Sequence, residues 1–466
     1  MYTKTYLFPW HRAVLFLSVL VIARPLLSQT QPSPPSAGRP ATSPASQPAT
    51  QPTTAPAEPW PANVRPFSLD RPTMTDDWFG LGKPARDVGI DMKFFWLQHW
   101  FDLMGGGLRT GSNKSDATMD WFMTFDLDKM GLVPGGDILV HAREQWGGNS
   151  VGKNQNSINR VTGANQQVND DADGTRSIHV DQLWYRQKFF NGKVAIQLGH
   201  LDYQTIIDRN AYANSEDIQF QNAALDNNPV IPNAGQTGLG VAATLKPWDW
   251  YTLILGVGDA QRVLYQTGFH TTFHDEAWFM SYMEHGFQVK LPTPRGPLTG
   301  NYRFGLVYDP VPRTVFVSPN DKPDRDGNDY GFYTSFDQLL YREGPTDEQG
   351  LGWFFRYGWR EDDLVNDAGA NYFSQFWSTG LAYMGLLPTR DRDVMGLAVA
   401  QLLPSQTYRD RRDIHLDGET ICEWYYAFAL TPWCVITPDF QYINAPNGGA
   451  TVSHALVGGI RVRVTF

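Results

Sequence analysis

Cysteine is nearly absent: the 466 residues hold two, Cys422 and Cys434. No disulfide framework and no cysteine-based metal site can organise a fold from that supply. Charge is sparse as well. Asp, Glu, Lys and Arg make up 18 % of the chain, and their balance is -10. A chain of that sign lacks the basic surface that nucleic acid demands, so a nucleic-acid partner is excluded. Mean hydropathy is -0.37, which rules out a bundle of membrane-spanning helices. From about Ile90 onward no convincing helical period appears either. What is plentiful is glycine and aromatic residues: 43 Gly, 16 Trp and an aromatic share of 14 %. That pairing of low charge with many aromatics is unusual for a soluble enzyme.

The first segment speaks to compartment. Lys4, His11 and Arg12 flank an apolar run, AVLFLSVLVIA, from Ala13 to Ala23. The run is short for a bilayer span and fits a secretory signal over residues 1–28, with an uncleaved anchor as the rival reading. No cysteine follows it, so a lipoprotein anchor is excluded. Residues 29–75 begin with a Pro/Ala/Ser/Thr/Gln tract that cannot bury a core. They read as a disordered periplasmic linker. The domain proper is then 76–466.

Within it, runs of about ten residues alternate apolar and polar, separated by breaks that are short and long by turns. The short ones include NGK (191–193), KPWDW (246–250) and TPW (431–433); the long ones include 148–177, 201–235 and 259–276. Short turns at one end and long loops at the other mark an outer-membrane barrel, and the breaks delimit about 16 strands. The expected fold is therefore all-β: a 16-stranded antiparallel transmembrane β-barrel in the bacterial outer membrane. The final segment, HALVGGIRVRVTF, shows the logic. Phe466, Val464, Val462, Ile460 and Leu456 share one face; Arg461 and Arg463 share the other. The alternation alone does not say which face is outside. The strand number, the aromatic clusters near strand ends and the signal segment favour lipid outside and water within. The terminal aromatic on a closing strand resembles the signal read by outer-membrane assembly machinery. The cysteines flank the TPW turn unevenly and lie ~25 Å apart, too far to pair.

By the same alternation the lumen holds His141, Arg143, Gln145, Arg303, Arg356, Glu419, Glu423, Asp439, Gln441, Arg461 and Arg463. Guanidinium, carboxylate and amide groups in a wet pore can hydrogen-bond sugar hydroxyls. A generically polar wall accounts for the same residues, so both readings stand at this point.

Several ordered stretches go further. DDWFGLGKPARDVGIDMKFF, FDLDKMGLVPGGDILVHA, DQLWYRQKFFNGKVAIQLGHLD, GLGWFFRYGW and ETICEWYYAFALTPWCVITPDFQYINAPNG follow one another from residue 76 onward. Together they resemble the carbohydrate-selective porin family of the OprB type. Lys83 stands near where the family has Arg, and Gln182 replaces an acidic residue. The resemblance implies a passive channel for monosaccharides and related small sugars, narrowed by inward-folded loops and a ring of charge. It implies pore-lining roles for Arg143, Glu419, Glu423 and Asp439, which lie in matched segments; Arg303, Arg356, Arg461 and Arg463 join them by alternation. No cofactor or metal is expected. Small sugars and outer-membrane lipid are the expected partners, with the barrel a monomer or a homotrimer. The alternatives are a non-selective diffusion porin and, less favoured, a secreted β-rich carbohydrate-active enzyme using Glu419 and Glu423. Those two lie ~13 Å apart along one strand, too far for either hydrolytic geometry.

Smaller signals read as loop surface. His270 and His274 in HTTFH have metal-ligand spacing only on a helix. The acidic stretch 163–175 lacks the glycine and final Glu of a calcium loop. YRDRRD (408–413) is an exposed charge run.

Overall fold

The computed structural model describes residues 68–147, 157–169, 176–231, 237–260, 278–316, 325–326, 329–345, 349–363, 372–449 and 451–466. The expected signal segment, most of the expected linker and the HTTFH stretch lie outside them. Sixteen strands form one closed antiparallel barrel. They are β1 (Ile90–Gly106), β2 (Asn113–Asp126), β3 (Gly136–Gly147), β4 (Arg176–Phe189), β5 (Val194–Asp202), β6 (Thr237–Trp248), β7 (Tyr251–Asp259), β8 (Phe279–Leu291) and β9 (Leu298–Asp309). A two-residue hairpin of β10 (Arg313–Thr314) and β11 (Arg325–Asp326) stands apart from the barrel. The barrel resumes with β12 (Asp329–Arg342), β13 (Gly350–Arg360), β14 (Phe373–Met384), β15 (Val394–Pro404), β16 (Glu419–Thr431), β17 (Cys434–Asn444) and β18 (His454–Thr465). Each strand pairs with its sequence neighbour in the barrel. The ring closes where β1 meets β18, from Phe95 opposite Thr465 to Gly106 opposite Ala455.

The expected rhythm of turns holds. Residues 190–193, 249–250 and 432–433 join strands at one end, while 203–236 and 260–278 join them at the other. The NGK turn works because Phe190, Asn191 and Gly192 take φ of 53°, 55° and 80°, a region that Gly and Asn enter at least cost. The short-turn end is periplasmic, as in bacterial barrels generally.

Orientation follows from exposure. On β13, Phe354, Arg356 and Arg360 are buried inward, while Phe355, Tyr357 and Trp359 are half-exposed outward. Ile196, Leu198, Val241, Phe304, Leu306, Leu397, Leu456 and Ile460 are all exposed on the outer wall. A continuous belt of that kind suits hydrocarbon rather than water. Arg461 is buried on the inner side of the same strand as Ile460. Trp248 and Trp250 stack at 5.4 Å beside a periplasmic turn, as an interfacial girdle requires. Both cysteines are free, Cys434 opposite Thr431 at the turn and Cys422 opposite Tyr442.

One expectation needs correcting. The inner wall is not polar throughout. Phe101, Leu103, Phe354, Phe376, Ile421, Tyr425 and Val457 point inward and pack against Ile158, Val161, Phe220, Leu225 and Val230. Those partners belong to two loops folded into the barrel. One carries α3 (Ile158–Thr162); the other runs from residue 203 and carries α4 (Ala223–Asp226). On a second arc Trp184, Leu201, Tyr282, Val307 and Tyr333 enclose Tyr203, Ile206 and Ile207. Glycine makes the approach possible: a Cβ on Gly258 would lie 2.1 Å from the Tyr203 hydroxyl. The loops bring their own apolar side chains, so parts of the lumen became a dry core.

At the periplasmic rim, α1 (Asp76–Phe79) is one left-handed turn and α2 (Gly82–Asp87) follows it. The Met74 N–H donates to Thr465 O at 2.8 Å, and the Phe466 N–H to Phe94 O at 2.9 Å. The YRDRRD stretch falls mostly in α5 (Gln406–Arg412), none of whose residues is buried.

Candidate functional site

The partly open region of the lumen lies where the tip of the 203–231 loop faces β2, β3, β4 and β18. Arg143 on β3 is its centre. Its Nε donates to Asp120 at 2.7 Å and lies 3.5 Å from Asp181, while Nη2 is 3.8 Å from Glu216 of the loop. His141 pairs with Asp120 at 2.7 Å and His179 with Asp181 at 2.9 Å. Irregularities in the β3–β4 register at His141/Ala142 and Arg143/Gln145 gather these groups. Such bulges re-aim side chains that a regular ladder would spread apart. Arg463 completes the ring from β18. Its Nε is 3.7 Å from Asp217, and its guanidinium sits 4.5 Å from the centroid of Phe95. Arg143, Asp181 and Glu216 keep 19 %, 20 % and 20 % of their side-chain surface accessible. A solute can therefore touch them.

The other candidates behave differently. Glu419 is fully buried; its carboxylate accepts from the backbone N–H groups of Asn165, Gln166 and Asn447 at 2.7, 3.1 and 2.6 Å. Glu423 accepts from the N–H groups of Gln221 and Asn222 at 2.6 and 3.0 Å. Gln441 bridges Asp439 to the first loop, donating to Asp439 and to Val168 O. Arg356 donates to Leu225 O, Asp226 O, Asp208 O and Asn214 Oδ1 at 2.7–3.0 Å. Arg461 donates to the carbonyls of Glu216 and Gln219. Charge-assisted bonds to buried backbone are strong. These six side chains face inward as expected, but beneath the loops, and they fix where the loops lie. Arg303 stands away from the eyelet and pairs with Asp337 at 2.7 Å, 17 % accessible.

Alternation placed Arg143 and Arg463 on the inner wall, and both lie in this partly open region. It missed Asp120, Asp181, Glu216 and Asp217, which supply the opposite charge. Glu216 and Asp217 sit on a loop with no period to read. Their only sequence signal was an acidic pair in an otherwise amide-rich stretch, NSEDIQF. Among the described residues no cluster of His, Cys, Asp and Glu fits a metal ion.

Comparison with known proteins identifies the family and the fold. The family described as carbohydrate-selective porin, OprB family, matches residues 121–466. Porin B of Pseudomonas aeruginosa is 24 % identical over 449 residues, covering 86 % of this chain and 92 % of that protein. The putative porin QuiX of Acinetobacter baylyi is 22 % identical over 323 residues, 61 % of this chain and 68 % of that one. The high-pH structure of Pseudomonas putida OprB superposes with a TM-score of 0.72 at 19 % identity, over 86 % of this chain and all of that one.

Proposed function

The chain belongs to the carbohydrate-selective porin, OprB family, and from that premise we propose that it passes monosaccharides and related small sugars across the outer membrane through the Arg143 eyelet. The observation that carries this reading is the mixture of hydrogen-bond donors and acceptors there. Arg143 and Arg463 face Asp120, Asp181, Glu216 and Asp217 within 4 Å. Guanidinium N–H groups and carboxylate oxygens thus stand side by side, and the ring offers both donors and acceptors to a neutral polyol. The buried anchors Glu419, Glu423, Asp439, Arg356 and Arg461 act at one remove, by holding the loops that narrow the lumen. Engaged with backbone N–H groups, Glu419 and Glu423 serve as loop holders rather than as an acid/base pair. The surrounding partner is lipid on the outer wall. Liposome swelling with glucose, a disaccharide and an amino acid of glucose size tests the reading. Glucose is expected to enter fastest; equal rates after correction for size would establish a general diffusion porin instead.

A further inference from the structure

Below the eyelet, toward the periplasm, lies a pocket of about 400 Å³ that the eyelet does not account for. Its walls come from the segment before β1 and from the periplasmic ends of β1, β2 and β18: Trp78, Asp91, Lys93, Phe95, Phe122 and Arg463 line it. The volume falls in the range of small-molecule sites, about 300–1,000 Å³. We propose that this pocket is a second saccharide-binding site, occupied by a sugar that has cleared the eyelet. It rests on the reading that sugar passes Arg143.

The lining carries the chemistry such a ligand needs. Phe95 and Phe122, their centroids 6.0 Å apart, give the pocket an apolar wall. Around them stand donors and an acceptor for hydroxyls. The indole N–H of Trp78 is buried without an acceptor. Buried donors are nearly always satisfied, so this one at the cavity wall points to a ligand or water that supplies oxygen. Asp91 and Lys93 share the inner face of β1 with Phe95 and take part in no ion pair among the described residues. Arg463 belongs to both places. It reaches Asp217 at the eyelet on one side and lines the pocket on the other. A sugar moving inward therefore exchanges one set of contacts for the next without full rehydration between them. The pocket exists because the leading segment docks: Arg86 grips Asp77 through two bonds of 2.6 and 2.7 Å, and the Met74 N–H extends the hydrogen bonding of β18.

The test is single-channel recording in planar bilayers, with glucose added to one face at a time. The double variant Trp78→Phe/Lys93→Met removes two donors and keeps an aromatic ring at 78. It should raise the half-blocking glucose concentration about tenfold from the periplasmic face, the combined effect of the two lost hydrogen bonds, and leave the extracellular value unchanged. Arg143→Ala should disturb the extracellular value more. Unboiled gel mobility confirms that each barrel is closed. An unchanged periplasmic value, or equal shifts on both faces, overturns the pocket. The outcomes separate: swelling without glucose preference but with a Trp78-sensitive periplasmic block sinks the eyelet reading alone, whereas normal preference with an insensitive block sinks the pocket alone.

Discussion

Replacing Arg356 with Ala should widen the channel. Its guanidinium is wholly buried and bridges three backbone carbonyls and Asn214 of the inward loop, with Asp208 Oδ2 3.3 Å from Nε. The alanine variant leaves those carbonyls and the Asp208 carboxyl without their donor in a dry setting. Removing one partner from such a buried set costs about 3–5 kcal/mol. At about 1.4 kcal/mol per decade, the ratio of docked to undocked loop falls by roughly two to four orders of magnitude. Other anchors remain: Glu423 holds residues 221–222, Arg461 holds 216 and 219, and Glu284 accepts from the Asp208 N–H at 2.7 Å. The loop should therefore loosen around 208–226 while the barrel persists. In planar bilayers, single-channel conductance should rise and become noisy, and in liposomes a disaccharide should gain more than glucose does. Arg356→Lys should fall between, because one ammonium cannot span the same four acceptors. A compact, heat-modifiable barrel with wild-type conductance and wild-type size cut-off would refute the idea that this loop sets the aperture.

Three further outcomes follow from the geometry. Arg143→Ala should alter both glucose flux and ion selectivity, since Asp120, Asp181 and Glu216 lose their common cation; unchanged flux and selectivity would remove it from the eyelet. Ile460→Arg places a charge on the lipid face and should lower stability in bilayers by about 2–4 kcal/mol if the site is near the midplane, read by urea titration in vesicles, whereas no loss would contradict the assigned orientation. The Arg86 guanidinium holds the Asp77 carboxyl below its ordinary value through their hydrogen bonds. A depressed pKa stabilises the docked segment above the usual Asp range, and that contribution is lost as pH falls through the lowered value. Protease protection of residues 68–89 should thus hold at neutral pH and decline below about pH 4, where Asp begins to protonate; protection that ignores acid would show that the pair does not hold the segment.

The strands were legible because a membrane strand has two solvents, and every second residue declares which one it meets. That sufficed for the strand number, the turn rhythm and the outward Leu456 and Ile460. It also put Glu419, Glu423, Arg356 and Arg461 on the inner wall, where they are. What alternation cannot register is what stands in front of an inner residue. The loops that cover those side chains have no period, and their docking depends on long-range partners such as Asn165 with Glu419 and Asn222 with Glu423. The same limit hid Glu216 and Asp217. Inward Ile421, Tyr425 and Val457 were the available hint, for an apolar residue facing a lumen needs a cover.

The seam between β1 and β18 has a consequence for how the molecule is made. Every other ladder in the ring joins neighbours along the polypeptide and can form as a local hairpin or as a crossover bridging one loop. This one joins opposite ends of the domain, so its contacts come last in any zippering order and carry the largest ring-closure entropy. Until it forms, the sheet is an open ribbon with two raw edges, each a template for a stray strand. A lesion there, at Gly459 against Phe101 or at Phe95 against Thr465, should betray itself less in the finished cylinder than in how many chains reach it.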